Sequence, residues 1–202
     1  MDTKPFARLA AVVALAAPLA ACIYPTMYND NLLHEIAPGQ YPHIAAPRPV
    51  QLLFDFQINE TPNAKARDQA RAIVDGVIRD SALFSVVGAD AQPNGAILRV
   101  TVDDQPFRSN VYNAPLVGPA FGVRTTTVGD DYVCTVRYDA GSGAAPVSKD
   151  VHDAIYAAFG ANPPAPPHAD RAEDAQAAVG RMVRKCVGNA LVLLARDPAF
   201  VR

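Results

Sequence analysis

The sequence predicts an α+β fold: a two-layer domain in which a mostly antiparallel sheet of about 4–5 strands packs against two helices. Three observations predict it. Every second residue is apolar over 50–58, 96–102 and 132–138. Two longer segments, 61–80 and 170–196, instead place apolar residues three and four apart. These patterns follow one another as strand, helix, strands, helix.

The first strand starts at Pro49, where Val50, Leu52, Phe54, Phe56 and Ile58 alternate with Gln51, Asp55 and Gln57. Thr61-Pro62 then offers an N-cap and a proline at the first helical position. Ala66, Ala70, Ile73, Val74, Val77 and Ile78 form the buried stripe, with Lys65, Arg67, Asp68, Arg71 and Asp75 outside it. The helix ends near Asp80-Ser81, and residues 83–87 form a turn and a short returning strand. A helical crossover after the first strand puts that strand beside a parallel partner. Leu98, Val100 and Val102 face inward from the next strand. Segments 121–128 and 132–140 predict a hairpin around Gly129-Asp130. A second turn at Gly141-Ser142-Gly143 leads into a strand over 147–156. A proline cluster over 163–167 breaks the chain. The final helix runs over 170–196, with Asp170, Glu173 and Asp174 early and Arg181, Arg184, Lys185 and Arg196 late, as the helix dipole prefers.

The N-terminus has another purpose. Lys4 and Arg8 outweigh Asp2, and an apolar run of 13 residues follows over 9–21. About 20 residues are needed to span a bilayer, so this run reads as a secretory signal. Leu19-Ala20-Ala21-Cys22 resembles the lipobox of bacterial lipoproteins. The resemblance implies a signal peptide over 1–21 and a covalent lipid such as palmitate on Cys22. Ile23, where an aspartate would favour inner-membrane retention, implies the outer membrane, facing the periplasm. Several acyl chains hold a protein on a membrane stably, whereas one binds marginally. Residues 22–48, with Pro25, Pro38, Gly39, Pro42 and Pro47, read as a lipidated tether. At about 3.5 Å per residue it reaches roughly 90 Å. Residues 49–202 form a single periplasmic domain.

Removing residues 1–21 takes away Lys4, Arg8 and Asp2, leaving 16 basic and 19 acidic residues and a net charge of −3. No basic patch stands out, which argues against a nucleic-acid partner. Cys134 and Cys186 remain. An oxidising compartment and their positions on apolar faces of a strand and a helix predict a disulfide, the alternative being two separate buried thiols. The strand over 50–56 and a helix closing in Arg79-Asp80-Ser81-Ala82-Leu83-Phe84-Ser85-Val86-Val87 are similar to the opening of auxiliary envelope lipoproteins with a TolB-N-terminal-like or curli-secretion-like domain. That resemblance covers residues 49–195 and implies no catalytic residues.

His34, His43, His152 and His168 lack metal-ligand spacing, and no HExxH occurs, so no metal is expected. Asp103-Asp104 and Asp130-Asp131 read as strand-end residues. Gly141-Ser142-Gly143 lacks the GxSxG pattern of a nucleophile elbow. Asn59-Glu60-Thr61 fits a glycosylation sequon, but Pro62 follows it. A hydrolase would need a coupled nucleophile and base that the sequence does not offer. The long segment 104–121 carries Phe107, Tyr112, Leu116, Val117 and Phe121, which predict a partner-binding loop; the alternative is a loop folded over its own core. The leading expectation is a non-enzymatic accessory subunit of a transport, export or envelope-assembly system. It would need no cofactor beyond its lipid and would bind the membrane and either an envelope protein or further copies of itself. The alternative is a periplasmic regulator of peptidoglycan synthesis.

Overall fold

A computed structural model describes residues 25–93, 95–106, 112–114, 125–141, 143–160, 163 and 165–201. Residues 1–24, which include the expected signal peptide and Cys22, and Phe107, Leu116, Val117 and Phe121 lie outside the described residues; Tyr112 is described in its backbone alone. The strands are β1 (Thr26–Asp30), β2 (Arg48–Ile58), β3 (Thr61–Pro62), β4 (Phe84–Gly88), β5 (Ile97–Pro106), β6 (Tyr112–Ala114), β7 (Thr125–Asp139), β8 (Val147–Phe159) and β9 (Ala169–Arg171). The helices are α1 (Ala64–Asp80), α2 (Ala175–Ala195) and the short α3 (Pro198–Val201).

The α+β class holds, but the sheet is larger than expected. Nine strands join it among the described residues, in the order β3-β2-β5-β7-β8-β1-β9, with β4 also on β2 and β6 also on β7. The additional strands β1, β3, β6 and β9 have two to five residues each, too few to show a period. Both edges end in such short pieces, which limits pairing with other chains. β2 runs parallel to β4 and β5, as the crossover through α1 requires, and every other pair is antiparallel.

Local chemistry explains three departures from the sequence reading. Thr61-Pro62 forms β3 instead of opening the helix. Asn59 and Glu60 both take positive φ, 49° and 63°, and reverse the chain in a two-residue turn. The cap of α1 falls to Asn63, whose side chain accepts from the Ala66 N–H at 3.1 Å. The expected hairpin at Gly129-Asp130 is absent, since β7 runs straight through. Asp130 is paired with Pro106 on one side and Ile155 on the other, and two ladders outweigh the local turn preference. The last helix begins at Ala175 behind the cap Asp174, because residues 169–171 are taken into β9.

Residues 26–47 are not a free tether. β1 lies between β8 and β9. The Asn29 side chain, fully buried, donates to the Ala178 carbonyl at 2.8 Å. The chain then passes along α2. Arg184 meets Glu35 at 3.2 Å, and Asn189 donates to the His34 carbonyl at 2.9 Å. Gly188 leaves room for this strap, since a Cβ there would stand 3.0 Å from the Tyr41 hydroxyl. Leu33, Tyr41 and Ile44 complete the core edge. The described fold therefore begins at Thr26, not Pro49.

α1 and α2 cover one face of the sheet. Sheet on one side and strap on another explain why α2 is apolar nearly all round, with Met182, Val183, Val187, Leu191 and Leu194 buried together. Cys134 of β7 and Cys186 of α2 are joined by a disulfide, with Cα atoms 5.9 Å apart. Phe84, Tyr138 and Phe200 pack at the far end, which docks α3.

Candidate functional site

The helix-side face of the sheet is apolar until its upper rows. Ile58, Asp104, Tyr132 and Asp153 then stand side by side on β2, β5, β7 and β8. Both long helices begin above this row. Between them lies a groove of about 360 Å3. Ala66, Gln69, Ala70 and Ile73 of α1 form one wall, and Ala175, Gln176, Val179 and Gly180 of α2 the other. Phe56, Ile58, Asp104 and Tyr132 form its floor. Gly180 lets the walls close, since a Cβ there would stand 3.4 Å from Ile73 Cδ1.

Asp104 and Tyr132 are the titratable groups of the lining. Burial, and then the carboxyl of Asp130, push Asp104 up to about 6, against the hydrogen bond from the Tyr132 hydroxyl; Asp103 adds to the rise. Burial, and then the carboxyls of Asp104 and Asp130, push Tyr132 far above its ordinary value, so it stays a neutral donor. Burial also raises Asp130. Oδ1 of Asp104 has no hydrogen-bond partner among the described residues. The floor therefore offers one acceptor with spare capacity that becomes a donor when protonated, beneath apolar walls. Such a slot can receive an apolar group and hydrogen-bond its polar end.

A second polar island lies in the same row, sealed from the groove. Lys185 of α2 faces Asp153 at 3.0 Å from Oδ1 and 2.9 Å from Oδ2, with only the Oδ1 contact in hydrogen-bond geometry. Lys185 also donates to the Asp30 carbonyl in β1. Burial leaves the Asp153 carboxyl above its ordinary range even with Lys185 pulling it down. The pair clamps β1, β8 and α2 together.

Asp103-Asp104 and Asp130-Asp131 thus lie within β5 and β7 and not at the strand ends. Asp103 accepts from the Glu60 N–H at 2.9 Å and holds the β2–β3 turn, and Asp131 faces His152 at 3.5 Å on the other side of the sheet. The groove floor had a signal in the sequence: the alternation of Leu98, Val100 and Val102 continues to Asp104, and Tyr132 heads the apolar face that includes Cys134. Of the five residues proposed for partner binding, only Tyr112 is described, in β6 beside Thr127 of β7. Cys134 and Cys186 meet within the core and not at the groove.

No family model matches the chain, and no curated protein sequence does. Among solved structures, a neuraminyllactose-binding hemagglutinin homolog from Helicobacter pylori is similar at 12% identity and a TM-score of 0.39, covering 79% of this chain and 94% of that one. A PelC dodecamer variant from Paraburkholderia phytofirmans is similar at 14% identity and a TM-score of 0.32, covering 82% and 98%. Another crystal form of the PelC dodecamer gives 12% and 0.30, covering 82% and 94%. Likenesses of this size carry nothing about binding or assembly.

Proposed function

We propose that this chain is a non-enzymatic lipoprotein of the bacterial outer membrane, facing the periplasm, and that it serves a transport, export or assembly system as an accessory subunit. The observation that carries this reading is the distance between the lipobox and the fold. Only Ile23, Tyr24 and Pro25 separate Cys22 from β1. A lipid on Cys22 would hold the domain against the bilayer, where confinement raises its effective concentration for membrane-bound partners. The groove is the surface such a partner, or another copy of the chain, would use.

The alternative remains a periplasmic regulator of peptidoglycan synthesis, which a long tether would allow but which does not require one. With residues 26–47 bound to the domain, a reach of roughly 90 Å does not come from them.

Two measurements test the proposal. Radiolabelled palmitate should enter the wild-type chain and not Cys22→Ala, which should leave the membrane fraction. Crosslinking and affinity purification of the tagged chain from membranes should recover subunits of a transport or export system. Wild-type protein that takes up no palmitate would sink the anchor, and recovery of a peptidoglycan synthase alone would favour the alternative.

A further inference from the structure

We propose that the open end of the β7–β8–β1 ladder is a membrane-contacting surface, seated in the bilayer interface beside the lipid on Cys22. This rests on the lipoprotein reading and adds which part of the domain meets the membrane.

The three strands extend past the row that carries Tyr132. Their last rows pair Val128 with Ala157 and Met27, Thr127 with Ala158 and Thr26, and Thr126 with Phe159. None of these eight side chains is charged. Alternation puts Val128 and Phe159 on the helix side of the sheet, continuing Tyr132 and Asp153, yet they are 41% and 37% exposed. The helices therefore leave them open. The first charged side chains met on moving inward are Arg171, beside Tyr28, and then Asp130 and Asp170. Among the described residues, the side chains of these rows of β7, β8 and β1 are uncharged, and charge begins behind them.

The occupant follows from where the chain enters. Thr26 pairs with Ala158, the neighbour of Phe159. Four residue steps at about 3.5 Å keep Cys22 within roughly 14 Å of that strand end. Acyl chains on Cys22 would thus enter the bilayer beside rows of the ladder whose described side chains carry no charge. Two to three rows at about 3.4 Å correspond to roughly 7–10 Å, the depth at which interfacial elements sit. With no Lys or Arg in these rows, contact relies on apolar burial rather than on anionic lipid. The groove floor lies four residues further along β7 from Val128, roughly 13 Å from the lipid surface.

The chain contains no Trp, so one introduced Trp reports alone. Phe159→Trp and Ser148→Trp, at opposite ends of β8, are made in the full-length chain, purified from membranes and reconstituted into phosphatidylethanolamine–phosphatidylglycerol vesicles carrying brominated lipid. Val128→Trp serves as a second reporter at the proposed surface. Palmitate incorporation is measured on the same preparations. Emission from Trp at 159 and 128 should shift to the blue and be quenched several-fold more strongly than at 148. Omitting phosphatidylglycerol or raising the salt should not change this. Equal quenching at both ends overturns the proposal, and so does a blue shift without quenching, which would mean burial against protein. A palmitate-bearing chain with unquenched Trp at 159 and 128 sinks the contact surface and leaves the anchor standing. A palmitate-free chain that is still quenched on added vesicles sinks the anchor and leaves the surface.

Discussion

Lys185 stands at the midpoint of α2 with 3% of its surface exposed and its ammonium on Asp153 and the Asp30 carbonyl. A buried charge is tolerable only with its partner present. Lys185→Met should therefore cost about 3–5 kcal/mol in urea unfolding, and pairing it with Asp153→Leu should recover most of the loss. A single variant as stable as wild type would mean that the pair is not closed in solution. Asp104 gives a prediction of opposite sign. Its folded value, about 6, lies above the ordinary carboxylate value of 3.8, so the fold favours the protonated form. The stability this lends is complete below the unfolded value and is lost as pH rises through 6. Asp104→Asn should match wild type near pH 4 and exceed it at pH 8 by about 1–2 kcal/mol, allowing for water that reaches the group. Thermal melts of both proteins across that range check it. Lys185 escaped the sequence reading because a lysine in the later turns of a helix already has a good explanation in the helix dipole. Only the strap and β1, which close over that side of α2, turn it into a core residue.

Elements with a sustained period were legible: β2, α1, β5, the second half of β7, β8 and α2 all sit where apolar spacing puts them. Missed pieces owe their structure to partners distant in sequence. Thr26–Asp30 has no alternation of its own and becomes β1 because β8 and β9 receive it. The floor of the groove was partly readable, since Asp104 and Tyr132 continue inward-facing periods, but its walls depend on how closely two helices approach at Gly180. The sequence reading implies that residues 49–202 fold alone; the structure implies that they do not. A chain starting at 48 should lose cooperative unfolding and become sensitive to protease, whereas one starting at 25 should keep both. Equal melting of the two chains would show that the strap and β1 are accessories. Loss is expected because removing them uncovers β8 and the strap side of α2, and strands the Lys185 ammonium without the Asp30 carbonyl.

At the scale of the whole molecule, one covalent link ties the two layers. Cys134 and Cys186 are 52 residues apart in sequence and join the sheet to α2. In the chain-entropy model a bridge of that span is worth about 4 kcal/mol. Reduction, or the Cys134→Ala/Cys186→Ala pair, should lower the global unfolding free energy by about that amount without changing the fold, as read by guanidinium titration with and without reductant. Unchanged midpoints would place the bridge outside the cooperative unit.

β1 also sets a timetable. Synthesis from the N-terminus produces this strand before any other described strand, yet its partner β8 follows only some 130 residues later, Thr26 being matched with Ala158. Contacts so far apart in sequence close slowly. The earliest strand to arrive is thus among the last to be used, and a chain arrested before β8 would keep β1 idle and Asn29 without its α2 acceptor. Closing the sheet at β1 then serves as a completeness check: the first strand of the described fold settles only when partners some 130 residues later in the chain are in place.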